Sequence, residues 1–442
     1  MSGNIEQASK GPPRTDSKSY NLSSLRIVPV EGMDKSTDIM YLMQDFSLYD
    51  DMYSPTVSGE VRVIDSNDLI RNSPYHGFEY IVVEFSKPGV EKKIKKTFRI
   101  YKIDNISVGM NRSTQGYSIR FCSEELIMDA QIKISKSYKG KLLSDIIKDV
   151  LNKILKVKSD KIGTIEATEG IQNIIIPNYN PFRAIAWLVR RATPIGVFWE
   201  HLHKGFTFAS FKTLFAQKSK ADYAHGYPNV SREPYTHTQP ADLNPLIQVF
   251  QYEYLRLFDV LESISSGTYA GRLITIDPLK LKFEEVNLDY KKQFGSIPHV
   301  DSKGSPFIAS PQDRFGKGPN EYPLSYLRMY PTTKSDQHPN KVEEWLLQSN
   351  MKLWEINHFK VKLAVPGNIE LASGDLIKFT APSLDEKDPN GNNQNEYQTG
   401  QYLITAIHHK IEFKSYEMII EAVRDCVSKS YPGGNSGGLS SE

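Results

Sequence analysis

Cysteine is nearly missing from this chain: Cys122 and Cys426 are the only two in 442 residues. Two thiols so far apart supply neither a disulfide framework nor a four-ligand zinc site. A reducing compartment during folding fits that usage. Net charge is almost missing as well. Lys and Arg number 54 against 52 Asp and Glu, so no basic field can hold nucleic acid through counterion release. Long apolar runs are also wanting; none approaches the roughly 20 residues of a membrane-spanning helix. The opening residues, MSGNIEQASKGPPRTDSKSYNLSS, lack the apolar core of a signal peptide. Synthesis and use without export is the expectation, with no membrane partner.

Aromatic residues are plentiful, with 24 Tyr and 20 Phe. Both favour pleated, half-buried surfaces, so the composition leans towards β structure. The length suggests about three domains. Residues 1–23 and 429–442 are polar and rich in Gly, Pro and Ser, which predicts a disordered arm and a disordered tail. From 24 to 134 the pattern is strand-like. SGEVRVID alternates Val61 and Val63 with Glu60 and Arg62. The stretch GFEYIVVEFSKPGVEKKIKKTFRIYKIDNI reads as two strands about a Pro-Gly turn, and GYSIRFCS runs into a short helix, EELIMDAQ.

The period then changes. Leu142, Leu143, Ile146, Ile147, Val150, Leu151, Ile154 and Leu155 recur at helical spacing, with Lys and Asp on the other face. One face against a core explains the pattern, and Asp145 and Asp149 weigh against a membrane-surface helix. In IPNYNPFRAIAWLVRRATP, Asn180 is placed as an N-cap and Pro181 as the first helical residue. Phe182, Ile185, Val189 and Ala192 follow at helical steps, and Thr193-Pro194 ends the helix. IGVFWEHLHKGFTFAS predicts a hairpin turning at Lys204-Gly205. Residues 135–245 thus read as a helix-and-hairpin middle module whose end, 216–245, is a linker. Strand signals return over 246–428, with long loops at 291–340 and 384–400 and a helical start in KVEEWLLQSNMKLWEINH.

Two distant segments share a layout. Tyr101, Ile103 and Ile106 answer to Tyr402, Ile404 and Ile407, and Tyr117, Ile119 and Phe121 answer to Tyr416, Met418 and Ile420. Upstream, GFEYIVVEF parallels GDLIKF, where Gly374 and Asp375 enter a strand, and EVRVI parallels FKVKL. Three matches in one order point to two copies of one β domain.

Chemistry finds little support. His201 and His203 share a strand face, yet no third or fourth ligand stands nearby. His408 and His409 alternate faces. GNSGG at 434–438 lies in the tail, without the strand and helix of a hydrolase elbow, and GKGPN at 316–320 lacks the Lys-Ser/Thr of a phosphate loop. Arg190-Arg191 with Trp187 and Trp199 could stack on bases or sugars, but burial is the commoner use of aromatics in such a module. No catalytic, metal or cofactor-binding residue is expected.

IPNYNPFRAIAWLVRRATP followed by a GVFWE strand is similar to the middle module of the central baseplate hub protein of contractile-tailed bacteriophages. LFDVLESISSGTYAGRLITIDP and VSGEVRVIDSNDLIRNSPYHGFEYIVV resemble that family's second and first β domains. The hub part of type VI secretion spike proteins is related. The resemblance covers about residues 25–428. It implies a mainly β chain with an α+β insert: two tail-tube-like β-barrel or sandwich domains around a helix-containing middle module. Pro177, Asn180, Pro181, Trp187, Gly271, Gly374 and Asp375 are its motif positions, all structural. It further implies a homotrimer that adapts a six-fold tail tube to a three-fold spike in the virion. Expected partners are the tail tube protein, a central spike or tail lysozyme protein, baseplate wedge proteins and the tape measure protein, with DNA only in transit. A tail-associated peptidoglycan hydrolase would instead turn over cell wall, and a receptor- or glycan-binding tail protein would hold host sugars.

Overall fold

Strands open the chain. β1 (Asn21–Val28), β2 (Thr37–Asp38), β3 (Met43–Asp51), β4 (Ser58–Asp65), β5 (Tyr80–Ser86), β6 (Lys93–Val108) and β7 (Gln115–Cys122) make the front part. β8 (Ile134–Lys141), β9 (Ile162–Ile165), β10 (Gln172–Tyr179), β11 (Gly196–His201) and β12 (Gly205–Ser210) alternate with the helices Leu143–Asp149 and Pro181–Val189. The rear holds β13 (Ala221–Ala224), β14 (Gln251–Arg256), β15 (Ala270–Asp277), β16 (Lys282–Asp289), β17 (Leu324–Met329), the helix Val342–Glu355, β18 (Phe359–Pro366), β19 (Leu376–Thr380), β20 (Gly400–Glu412) and β21 (Ser415–Arg424). The computed structural model describes residues 18–428 apart from 31–35, 73–74, 110–113, 226–246, 279–280, 297, 302–323, 330–341, 384–393 and 414. The fold is mainly β with helices in the middle, as the sequence pattern predicts.

Period-two patterning makes the strands. Val61 and Val63 of β4 face the core while Arg62 and Ile64 face out. In β18, Val361, Leu363 and Val365 do the same. The front strands run in the order β3-β4-β7-β6-β5, and the rear strands β14-β18-β21-β20-β19 repeat that order, antiparallel throughout.

Register repeats too. Ile103 faces Ile119 as Ile407 faces Ile420, and Ile100 faces Phe121 as Ile404 faces Ala422. Val61 faces Ile119 as Leu363 faces Ile420, and Phe46 faces Val61 as Tyr252 faces Leu363. The Ile100 N–H donates to the Glu79 carbonyl at 3.0 Å, and the Ile404 N–H to the Asp375 carbonyl at 2.9 Å.

The strands paired by the sequence echo are therefore equivalent, but its residue matching is displaced. Phe98, Ile100 and Ile103 stand where Tyr402, Ile404 and Ile407 stand, so Tyr101 is not the partner of Tyr402. Tyr101 is 49% exposed and Tyr402 1% exposed. On the return strand Ile119 answers to Ile420 rather than to Met418. The two hairpins turn over different lengths of chain, so matching tyrosine to tyrosine slides the register.

Three further differences are local. β1 begins at Asn21, inside the predicted arm, and the Lys18 carbonyl already accepts from the Tyr416 N–H. β13 falls in the predicted linker and pairs in parallel with β19. β17 falls in the predicted 291–340 loop and pairs in parallel with β15. The rest of that linker beyond His225, most of both long loops, residues 1–17 and the tail lie outside the described residues.

One core joins front and rear. Phe46, Ile81, Phe98 and Phe121 pack in the same cluster as Leu363, Ile377, Tyr402 and Ile420. The middle module has its own core, where Leu143, Ile146, Ile147, Val150 and Leu151 meet Phe182, Ile185, Leu188, Phe206 and Phe208. Asp145 and Lys148 of the first helix are exposed, so its apolar face is spent on that core. β11 and β12 form the predicted hairpin, from Gly196 opposite Ser210 to His201 opposite Gly205.

Candidate functional site

The helix Pro181–Val189 is held rather than displayed. Phe182, Ile185, Val189 and Ala192 are all buried. Asn180 occupies the N-cap position, yet its side chain does not cap. Its amide donates to the carbonyls of Asp129 (2.8 Å) and Ile132 (3.3 Å), and its oxygen accepts from Lys133 Nζ at 2.7 Å. The capping oxygen is Asp129 Oδ1, which accepts from the Phe182 N–H at 2.6 Å. A cap drawn from 53 residues upstream ties the helix to the end of the front part. Pro177 sits on β10 opposite Ser135, and Pro181 is the first helical residue.

Trp187 is half-buried. The Arg191 guanidinium lies 3.6 Å from its ring centre and Tyr179 meets it edge-on at 6.0 Å. Arg191 therefore covers Trp187, while Arg190 is exposed. Trp199, the other tryptophan of that stretch, is 1% exposed and unavailable for stacking. Beside the helix lies an apolar groove of about 360 Å³, bordered by Phe182, Ala186, Val197, Phe198, Met52 and Leu353.

Gly374 and Asp375 sit where front and rear meet. Gly374 has φ +87°, and Asp375 is buried against Lys220 Nζ at 2.8 Å while accepting from the Ala372 N–H. Glu79 is the counterpart of Asp375 at the start of β5, where its carboxylate accepts from the N–H groups of His76, Gly77 and Phe78. From β3, the buried Asp50 accepts from Ser373 N–H at 2.9 Å and Ser373 Oγ at 2.6 Å. Glu200 of β11 reaches the same region, accepting from the Val57 N–H at 3.0 Å and from Ser123 Oγ. Three strands from three parts of the chain are thus pinned by buried carboxylates.

Burial pushes the Asp50 carboxyl up to about 7, against the opposing pull of its two Ser373 hydrogen bonds. An unfolded aspartate releases its proton near pH ~3.9. The raised folded value means this group favours folding most below that pH and loses its contribution as pH climbs through about 7. Asp50→Asn is expected to remove that decline. Thermal melts at about pH 5 and pH 8 should show a smaller drop in Tm for the variant than for the parent chain; equal drops would clear Asp50 of the effect.

A second buried cluster was not legible as a unit. Lys352 Nζ donates to Asp425 Oδ2 at 2.6 Å, to Glu355 Oε2 at 3.0 Å and to the Pro298 carbonyl at 2.8 Å. His299 Nδ1 lies 3.1 Å from Asp425 and 3.3 Å from Glu355, and Tyr290 Oη donates to Glu355 Oε1 at 2.6 Å. Burial alone would raise the Asp425 carboxyl, but the Lys352 charge and His299 hold it well below the usual range. Burial likewise pulls against a charged Lys352, and the two carboxylates outweigh it. His299, Glu355 and Asp425 have metal-ligand spacing. The ammonium among them already supplies the cation, and both carboxylates are wholly buried. This is a network that fastens segment 298–301, the helix Val342–Glu355 and the end of β21. The sequence signal was Lys352 and Glu355, three apart on one side of a helix that also carries Trp345 and Ser349 there.

The other candidates do not converge. Gly271 lies on β15, between Leu288 and Leu324 and under Leu347. His203 stands in the hairpin turn, its ring 6.0 Å from His201. Burial depresses both, to about 4 and about 2, so they are neutral near pH ~7. His408 stacks on Tyr49 at 4.7 Å, while His409 is buried against Tyr416 Oη at 2.8 Å. GNSGG and GKGPN lie outside the described residues.

No family model matches the chain, and no curated protein does. Solved structures do. The chain is similar to the 43 kDa tail protein of prophage MuSo2 from Shewanella oneidensis, with TM-score 0.54 and 12% identity over 92% of this chain and 99% of that one. It is also similar to the tail protein from Neisseria meningitidis MC58, with TM-score 0.52 and 10% identity over 93% of this chain and 99% of that one. At such identities the likeness establishes the fold, one shared with these two tail proteins along nearly the whole length of each chain.

Proposed function

We propose that this chain is a structural protein of a contractile phage-type tail, the central hub of its baseplate. Three copies form a ring. Each copy supplies two equivalent β units, so the ring offers six similar units to the tail tube and three-fold symmetry to the spike. The domain division drawn from the sequence belongs to this reading: 24–134 and 246–428 as the tube-like units, 135–245 as the module between them.

The repeated strand order β3-β4-β7-β6-β5 and β14-β18-β21-β20-β19 is the observation that carries it. The fold likeness to a prophage tail protein and to a second tail protein supports the setting. A closed ring is the common outcome when one surface must repeat. In this reading Pro177, Asn180, Pro181, Trp187, Gly271, Gly374 and Asp375 hold the module and the junction in place. The tail tube, spike or tail lysozyme, wedge and tape measure proteins are the partners, and DNA passes through the ring. The chain carries out no turnover.

Mass photometry of the purified full-length chain tests this. Particles of three times 50.2 kDa are expected. A population that stays at one chain's mass across the accessible concentrations would count against the ring.

A further inference from the structure

The repeat leaves one junction made and one unmade. Inside the chain the two units meet strand to strand, with Ala406–Glu412 of β20 pairing antiparallel with Asp45–Asp51 of β3. A bulge in β20 between Ile404 and Ala406 makes this possible. Residues before it pair with β19, and residues after it turn away to pair with β3.

β6 is built the same way. Lys93–Arg99 pairs with β5, and a bulge follows at the equivalent place, between Ile100 and Lys102. Beyond it Lys102–Val108 pairs with β7 on one side, with a second irregularity between Asp104 and Ser107 that β20 lacks, and among the described residues nothing pairs on the other. The rear counterpart of β3 is β14. It pairs with β18 and ends the sheet among the described residues. The front unit thus carries an open copy of the β20 edge, and the rear unit an open copy of the β3 edge.

Both open edges are flanked by exposed apolar side chains. Ile106 is 58% and Val108 63% exposed beside the first, and Leu255 is 44% and Phe258 68% exposed beside the second. Long open edges with apolar flanks are templates for another strand.

We propose that residues 102–108 of one copy pair antiparallel with β14 of a second copy, repeating between chains the β20–β3 junction found within one. The register carries over as far as Asp104 on the one edge and Arg256 on the other; a bulge follows Asp104, and another precedes Arg256. In the internal junction Ile407 lies opposite Asp50, and His408 opposite Tyr49. Ile103 and Asp104 hold the places of Ile407 and His408. Arg256, opposite Lys360, holds the place of Tyr49, opposite Ser58. Asp104 of one copy, which pairs with Lys102 and Arg120 in its own chain, therefore meets Arg256 of the next, which pairs with Glu262 in its own, and the two make an opposite-charge cross-strand pair. Each copy gives one edge of each kind, so copies join head to tail and close only as a ring. Closure at three rests on the hub reading above.

The test uses the full-length chain carrying Asp104→Cys with Arg256→Cys and a short bis-maleimide. Cys122 and Cys426 are 2% and 0% exposed, so background labelling is low. The double variant is expected to yield covalent dimers and trimers on denaturing gels, with each single variant at background. Tyr49→Cys with His408→Cys, the same pair in the internal junction, should cross-link within one chain. Trimers by native mass without the 104–256 cross-link would overturn the strand junction and leave the hub reading standing. Single chains by native mass would overturn both. A covalent ladder running past the trimer would support the junction and contradict three-fold closure.

Discussion

Gly374→Ala is expected to destabilise the chain by about 3–5 kcal/mol, combining backbone strain with overpacking. Two independent observations set that size. Gly374 has φ +87°, where a Cβ is disfavoured. The space is also taken: a Cβ there would stand 2.6 Å from Trp199 Cζ2. Trp199 is 1% exposed and packs with Val197, Leu376, Leu403 and Val423, so its ring cannot swing aside. Nor can the backbone shift easily, since the Gly374 N–H donates to the Ile404 carbonyl at 2.8 Å and Asp375 is fixed by Lys220. Gly77, at the matching turn of the front unit, is the control. Its φ is +84° but a Cβ there meets nothing within 4 Å. Gly77→Ala should show only the strain, about 1–2 kcal/mol. Denaturant unfolding of both variants separates the two causes. Equal losses would mean that Trp199 contributes nothing.

Lys352→Met should cost about 3–5 kcal/mol, because it leaves buried carboxylates without their cation. The methionine fills much of the volume, so the loss reports charge rather than a cavity. Asp425 and Glu355 are both 0% exposed, and water cannot take the place of the ammonium. The loss should shrink in acid. Asp425, held low by Lys352 in the parent, would then take up a proton instead of standing charged and unpaired. Unfolding at neutral and acidic pH checks this. A loss that does not change with pH would place the effect in packing.

Local elements were legible because their signals are local. The helix Leu143–Asp149 follows from apolar residues at three- and four-residue steps. The hairpin of β11 and β12 follows from Lys204-Gly205 between two apolar runs. The duplication was legible at the level of strands and not of residues. Its register depends on where β6 and β20 bulge, and the only local mark of the bulge is an apolar step that widens from two residues to three, from Ile100 to Ile103 and from Ile404 to Ile407. β17 was hidden because parallel pairing with β15 is set by a strand some fifty residues earlier. The Asp129 cap and the Lys352 network share that cause: their members come from separate elements, and only the fold assembles them. Asn180 shows the limit most clearly. Its position in the helix was readable, but its hydrogen bonds go to a segment that local sequence cannot name.

A duplicated unit whose edges link one copy to the next should build a ring. Electron microscopy of the purified chain tests it most directly. Annular particles should appear, three-fold under strict averaging, with six similar lobes around a central opening. Isolated globular particles, or rings whose lobes are not paired two to a chain, would contradict it.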